Sequence, residues 1–279
     1  MDEWMEDLLV HVSKIIHEGD FLVVSEKALS VATGHVIDEA PIKPRFLAKL
    51  IAVGWMRVVW GRVLGRLCHL SPTNISRLRN YPILEGAAHK QLAIDETGFI
   101  QALRHGSEGG IDASNLPFSL VALPLDDPKR EATRIQERLY VETGKKTTVL
   151  VVDSDKTYSL SGFHMSVRRT TVSGVRCFGL FAYVFGRLLK LTPRSTPLAV
   201  VGENLGTNEA LQISAVANKV RGSGAGRTVW DMGETFRVDP HRVTWEMLQN
   251  VKHTPIVIVR RLNHENMRVS RQALRPKSL

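Results

Sequence analysis

The chain has 279 residues, 43% of them hydrophobic and 23% charged, a balance near the globular average and long enough for one large domain or two small ones. No apolar span reaches membrane length and the opening Asp2, Glu3 and Glu6 does not resemble a signal peptide, so a cytoplasmic protein with no membrane partner is expected. The net charge of +9 favours anionic partners such as nucleotides, phosphorylated cofactors or nucleic acid and says nothing about fold. Nucleic-acid binding rests on charge alone and ranks last, because no aromatic-basic motif accompanies it. Cys68 and Cys177 lack metal-ligand spacing and read as reduced core thiols.

Trp4, Met5, Leu8, Leu9, Val12 and Ile16 fall at helical spacing and predict an amphipathic helix over residues 2–17. Gly19-Asp20 turns the chain into the apolar strand Phe21–Ser25, and a turn at Gly34 makes residues 21–37 read as a hairpin-like unit. Lys27 and Ser30 lie just past that strand, where they could face an anion. Residues 44–70 are apolar but broken by Arg57, Arg62 and Arg66, and Gly54, Gly61 and Gly65 argue against one straight helix. The pattern fits a helix at a dimer or domain interface better than one on a membrane surface. Ser71-Pro72 reads as an N-cap with proline at the first helical position. A helix is expected over 84–92 and a strand over 98–103. His105, without a partner at fixed spacing, reads as structural.

Residues 109–115 run Gly-Gly-Ile-Asp-Ala-Ser-Asn, so Asp112 and Asn115 present a carboxylate and an amide from one tight loop. Asp127 and Pro128 open a helix that Gly144 ends, which makes Asp127 a cap rather than a catalytic group. Residues 148–152 form a buried strand terminated by Asp153-Ser154-Asp155. A carboxylate at the carboxyl end of such a strand is where α/β proteins place ligand or metal groups. Oxygen donors from two separate turns suit a hard divalent cation with phosphates. Residues 158–167 read as extended with a break at Gly162. From Glu203 onward, Leu205, Glu209, Ile213, Val216 and Val220 share one helical face. Glu209 interrupts it, and either binds a cation or reaches solvent at the stripe's edge. Residues 221–226 form a basic Gly/Ser turn that reads as a connection rather than a phosphate loop. Residues 255–259 form the last strong strand, and a basic tail spans 261–279.

The ordered set of these pieces resembles the coenzyme F420-0:L-glutamate ligases (F420 being a deazaflavin cofactor). Gly19-Asp20 with the strand to Lys27 looks like the family's glycine-aspartate strand and Ser-Lys pair. Gly110-Ile111-Asp112-Ala113-Ser114-Asn115 looks like its metal and nucleotide loop, and residues 123–128 like its Leu-Pro-x-Asp-Pro turn. Residues 149–154 resemble its strand ending in Asp-Thr, 185–192 its Phe-Gly-Arg segment, Glu203 and Glu209 its late-helix glutamates, and 255–260 its closing strand. The likeness spans roughly residues 15–260 and is poor between 40 and 105.

The resemblance implies an α+β fold with mixed sheets and helices in an intertwined homodimer, one ligase-like domain over residues 1–260. It also implies a ligase that uses GTP and Mn²⁺ or Mg²⁺ to activate a carboxylate of an F420-like phosphorylated acceptor as an acyl phosphate, which the amine of L-glutamate attacks. Carried over, Asp112, Asp153, Ser154 and Glu209 would be metal ligands, and Lys27 and Asn115 would contact the nucleotide. This chain departs from the pattern at Glu26, where the family has serine, and at Val31, where it has a second lysine. The alternative is a non-catalytic relative that binds a metal or phosphorylated ligand, or a structural partner protein.

Overall fold

Alternation along strand β1 (Phe21–Ser25) sends Leu22 and Val24 to one side and Phe21 and Val23 to the other, and all four are buried. A strand apolar on both faces belongs in a sheet covered on both sides. The computed structural model, which describes residues 3–262 and 266–271 (262 and the last segment by backbone alone), places it there. The remaining strands are β2 (Val36–Asp38), β3 (Leu120–Ala122), β4 (Thr148–Leu160), β5 (Phe163–Ser166), β6 (Val175–Cys177), β7 (Thr192–Val201), β8 (Ile256–Leu262) and β9 (Asn266–Arg271). The main sheet runs β6-β5-β4-β1-β8-β9, with β7 on β4, and β1 is parallel to β4 and antiparallel to β8. Helices Glu3–Val12 and Pro128–Thr143 cover one face through Met5, Leu8, Ile135 and Leu139; helix Thr207–Arg221 covers the other through Ile213 and Ala217. The result is an α+β protein with a mixed sheet, as expected.

Several elements depart from the sequence reading. Residues 21–37 are not a hairpin: helix Glu26–Ala32 follows β1, and β2 pairs with β3 in a separate two-stranded sheet. Residues 98–103 are helical over Phe99–Ala102 rather than extended. Cys68 is buried, but Cys177 is exposed. Residues 46–67 are helical throughout, with π geometry over Ile51–Leu64. Among its buried positions, Ala48, Ala52, Met56, Trp60 and Gly65 recur every four or five residues, with Ile51 and Gly61 beside them, a wider period than the 3.6 of an α-helix. Helix Thr207–Arg221 starts after Glu203 and Leu205. Residues 261 and 262 end β8 and 266–271 pair with it, while 263–265 and 272–279 of the expected tail lie outside the described residues.

β4 shows the difference with the largest consequence for the site. Thr148–Val152 does form the buried strand beside β1, but the chain does not stop at Asp153. It continues to Leu160, with a bulge where Asp153 pairs with Thr196 and Lys156, three residues later, pairs with the adjacent Ser195. Bulges re-aim side chains and cluster beside functional sites. The second half of β4 pairs with β5 as a hairpin that returns the chain to the bulge at Arg168.

Beneath helix Leu84–Thr97 lies a buried ionic network. Glu108 accepts from His89 at 3.1 Å and pairs with the fully buried Lys90, and His89 also meets Glu39 at 2.5 Å. Burial alone would lower the His89 pKa, but Glu39 and Glu108 together push it up to about 10 from 6.5. A raised folded-state histidine contributes stability that is complete below the unfolded value and lost as pH rises through the folded one. Stability followed by urea denaturation will therefore fall by on the order of a few kcal/mol between pH 6.5 and about 10. In His89→Gln that part of the pH dependence will be gone.

Candidate active site

β1 ends beside the bulge in β4, Ser25 in register with Val152, so the residues that follow Ser25 and Val152 meet at one place in the sheet. From β1 come Glu26 and Lys27, on the first turn of helix Glu26–Ala32. From β4 comes Asp153, at the bulge. The loop carrying Asp112 joins them, tied to β3 by reciprocal backbone hydrogen bonds between Asp112 and Ala122 at 3.0 Å.

Lys27 lies on that loop. Its ammonium contacts Asp112 Oδ2 at 2.7 Å and donates to the Ser114 carbonyl at 2.6 Å and the Ser114 hydroxyl at 2.8 Å. The other oxygen, Asp112 Oδ1, accepts from the Ser114 backbone N–H at 2.8 Å and its hydroxyl at 2.7 Å. Asn115, in the left-handed region at φ 54°, grips the segment 223–226. Its amide donates to the carbonyls of Ser223 at 3.2 Å and Gly226 at 2.9 Å, and its oxygen accepts from the Ala225 N–H at 2.6 Å. The basic Gly/Ser turn is thus pinned in place over the loop.

Arg168 sits at the centre, with only 6% of its surface exposed. It binds Glu26 through two hydrogen bonds of 2.6 and 2.8 Å and Asp153 Oδ2 at 2.7 Å. A Cβ on Gly110, whose φ is +109°, would overlap this guanidinium, so the glycine loop also walls it. Burial pushes the Glu26 carboxyl above the usual range, with Arg168 opposing. For Asp153 burial acts the same way, but Arg168 wins and holds the carboxyl below its ordinary value. Asp155, two residues on, is gripped by both terminal nitrogens of Arg104 at 2.9 and 3.2 Å. Ser154 is exposed, its hydroxyl 3.5 Å from Asp153.

Three further cations approach this edge. Arg221, at the C-terminus of its helix, lies within electrostatic reach of both Asp153 and Asp112. Lys156 feels Asp153, Asp155, Arg221 and Arg227, and burial lowers its pKa. Among the described residues, neither Lys156 nor Arg227 has a carboxylate within ion-pair distance.

The structure therefore brings Lys27, Asp112, Asn115, Asp153 and Ser154 to one region. It does not bring Glu209. The N-terminus of helix Thr207–Arg221 lies at the opposite end of the sheet, where Arg261 binds Glu209 through its Nε at 3.1 Å and Glu203 at 3.0 Å. Arg261 lies past the β8 residue paired with Phe21, whereas Lys27 follows Ser25. The separation is of the order of a strand length, about 15 Å. The polar side of the helix edge accounts for Glu209 without a metal ion: it reaches solvent and the Arg261 guanidinium.

The donor set as built does not fit a divalent ion. Asp112 and Asp153 each hold a cationic side chain at 2.7 Å, Asp155 holds another, and among the described residues no three His, Cys, Asp or Glu side chains cluster as metal ligands. Sequence reasoning missed Arg168 and Arg104. One signal pointed to Arg168: Glu26, an acid following an apolar strand into the interior, required a buried cation, although nothing in the sequence says which.

Residues 2–227 match the family described as F420-0:Gamma-glutamyl ligase. The chain is also 33% identical over 256 residues to an uncharacterized protein of Methanocaldococcus jannaschii, covering 88% of this chain and 86% of that one.

Proposed function

The chain belongs to the F420-0:gamma-glutamyl ligase family, and from that premise we propose that it is a nucleotide-dependent acid–amino-acid ligase, joining L-glutamate to a carboxylate of coenzyme F420-0 or a related acceptor. In this reading the acceptor carboxylate attacks the γ-phosphorus of GTP and GDP leaves. The glutamate amine then attacks the acyl carbon, phosphate leaves, and the amine proton is lost as the amide forms. Both steps build negative charge on phosphoryl oxygens, which fixed cations stabilise best when held in place beforehand. The observation that supports the reading is Lys27, locked by three contacts to the Asp112–Ser114 loop where β1 ends beside the bulge of β4.

The test is to follow nucleotide hydrolysis and product mass with GTP or ATP, L-glutamate and a deazaflavin precursor. Lys27→Ala is expected to lower turnover by about 10²-fold or more, the scale for removing one preorganised charge donor, and Asp112→Ala, which frees that lysine, by a comparable factor. No turnover by the wild-type chain with either nucleotide would sink the ligase reading. The second reading, a non-catalytic relative that binds a phosphorylated ligand, is favoured by one feature: the Glu26–Arg168–Asp153 cluster takes up two acids at the heart of the site.

A further inference from the structure

We infer that Arg168 is the resident cation of this centre, standing where the family pattern leads one to expect a divalent metal, and that the site takes a polyphosphate directly on Lys156, Arg221 and Arg227. The inference rests on the ligase reading only for the identity of the anion.

The argument is one of charge and geometry. Four carboxylates converge on the edge formed by β1 and β4: Glu26, Asp112, Asp153 and Asp155. Each already meets a cation. Arg168 bridges Glu26 and Asp153, Lys27 holds Asp112, and Arg104 holds Asp155. A metal ion would have to displace guanidinium or ammonium groups from Asp112 and Asp153, and Arg168 is buried and walled by Gly110 and Glu26, held by three charge-assisted bonds that it would lose by moving. Glu26 is what anchors it: an acid where the pattern calls for a small hydroxyl residue.

With the acids neutralised from inside, the outer groups are in surplus. Among the described residues, Lys156 and Arg227 have no carboxylate within ion-pair distance, and the Arg221 guanidinium hydrogen-bonds only to Asn218, at 2.8 Å. Lys156 lies within electrostatic reach of both arginines. Arg221 and Arg227 flank the segment that Asn115 pins, so both arginines are carried on backbone held in place beside the Asp112 loop. Such a cluster, on a chain of net charge +9, selects an anion with several phosphates rather than a metal.

Two measurements on the full chain test this without turnover, so a failed ligase reading leaves them interpretable. In the first, Mn²⁺ alone is titrated and followed by electron paramagnetic resonance. The wild type is expected to leave the ion free, and Arg168→Met to bind it through the released Asp153. Where that variant does not fold, Glu26→Gln combined with Arg168→Gln keeps neutral groups in the cluster and is expected to bind the ion as well. One Mn²⁺ bound per wild-type chain and released by Asp153→Asn would overturn the assignment, as would a folded variant that still binds none. In the second, tripolyphosphate is titrated by calorimetry in EDTA. Binding to the wild type is expected, weakened about tenfold or more by Lys156→Gln or Arg227→Gln. Binding that requires Mn²⁺, or no binding at all, would overturn the anion assignment.

Discussion

Arg168→Met will destabilise the folded chain by about 3–5 kcal/mol, the range for breaking a buried ion pair from one side. The substitution leaves the buried Glu26 carboxylate without either of its guanidinium bonds and Asp153 without its 2.7 Å partner. What remains for Glu26 is the Leu125 N–H at 3.1 Å, one neutral donor for a charge. Against a typical total of about 5–15 kcal/mol, this approaches the limit of what a domain tolerates. The loss has a pH signature. Burial already raises the Glu26 carboxyl above 4.5, and removing the arginine raises it further. A raised carboxyl favours folding where the group is protonated, so the deficit will shrink as the solution is acidified toward pH 4.5 and grow above it. Denaturant titrations of wild type and variant at several pH values measure both. Glu26→Gln combined with Arg168→Gln will be more stable than the two single losses predict when summed, with a coupling of about 0.5–3 kcal/mol. Strict additivity would show that the two groups do not act as a pair.

What the residues revealed in advance follows the range of the interactions involved. Ser71, Asp127 and Gly144 act within one turn of their own helices: the Ser71 hydroxyl accepts from the Asn74 N–H, Asp127 accepts from Arg130, and Gly144 closes its helix at φ +67°. Such contacts are local, so composition and spacing expose them. The core strands were legible for a similar reason, since unbroken Val and Leu runs mark sheets covered on both faces. The site was only half legible. Asp112 could be placed in a glycine loop and Asp153 just after a buried Val/Leu run, but the partners in this site are long-range: Lys27 is 87 residues from Ser114, Arg168 is 142 from Glu26, and Arg104 is 51 from Asp155. No periodicity encodes these pairings. Glu209 was misplaced for the converse reason. Its interruption of an apolar stripe was real, but whether Arg261 or a metal ion would face it depended on the end of the sheet at which the helix began.

Gly110→Ala will be damaging in the loop that carries Asp112. Two costs coincide at this position. A residue with a side chain at φ +109° is strained, by about 1–3 kcal/mol for a sparsely populated backbone region. The new methyl also overlaps the Arg168 guanidinium, and overpacking a filled interior adds about 1–3 kcal/mol. The arginine cannot yield cheaply, because it is fixed by Glu26 and Asp153 on its other sides. Either the loop backs away, carrying Asp112 from Lys27, or the guanidinium tilts and loosens its grip on the two acids. A loss of about 2–5 kcal/mol in denaturant titration is therefore expected, together with weaker tripolyphosphate binding. Gly106, four residues earlier, supplies the internal control. A Cβ there meets nothing within 4 Å, and its φ lies outside the left-handed region, so Gly106→Ala should stay within about 0.5 kcal/mol of wild type. Equal effects at the two positions would mean that general loop stiffness, rather than contact with Arg168, sets the requirement for glycine. A tolerated Gly110→Ala would place the guanidinium away from the loop and remove one wall of the proposed cation site.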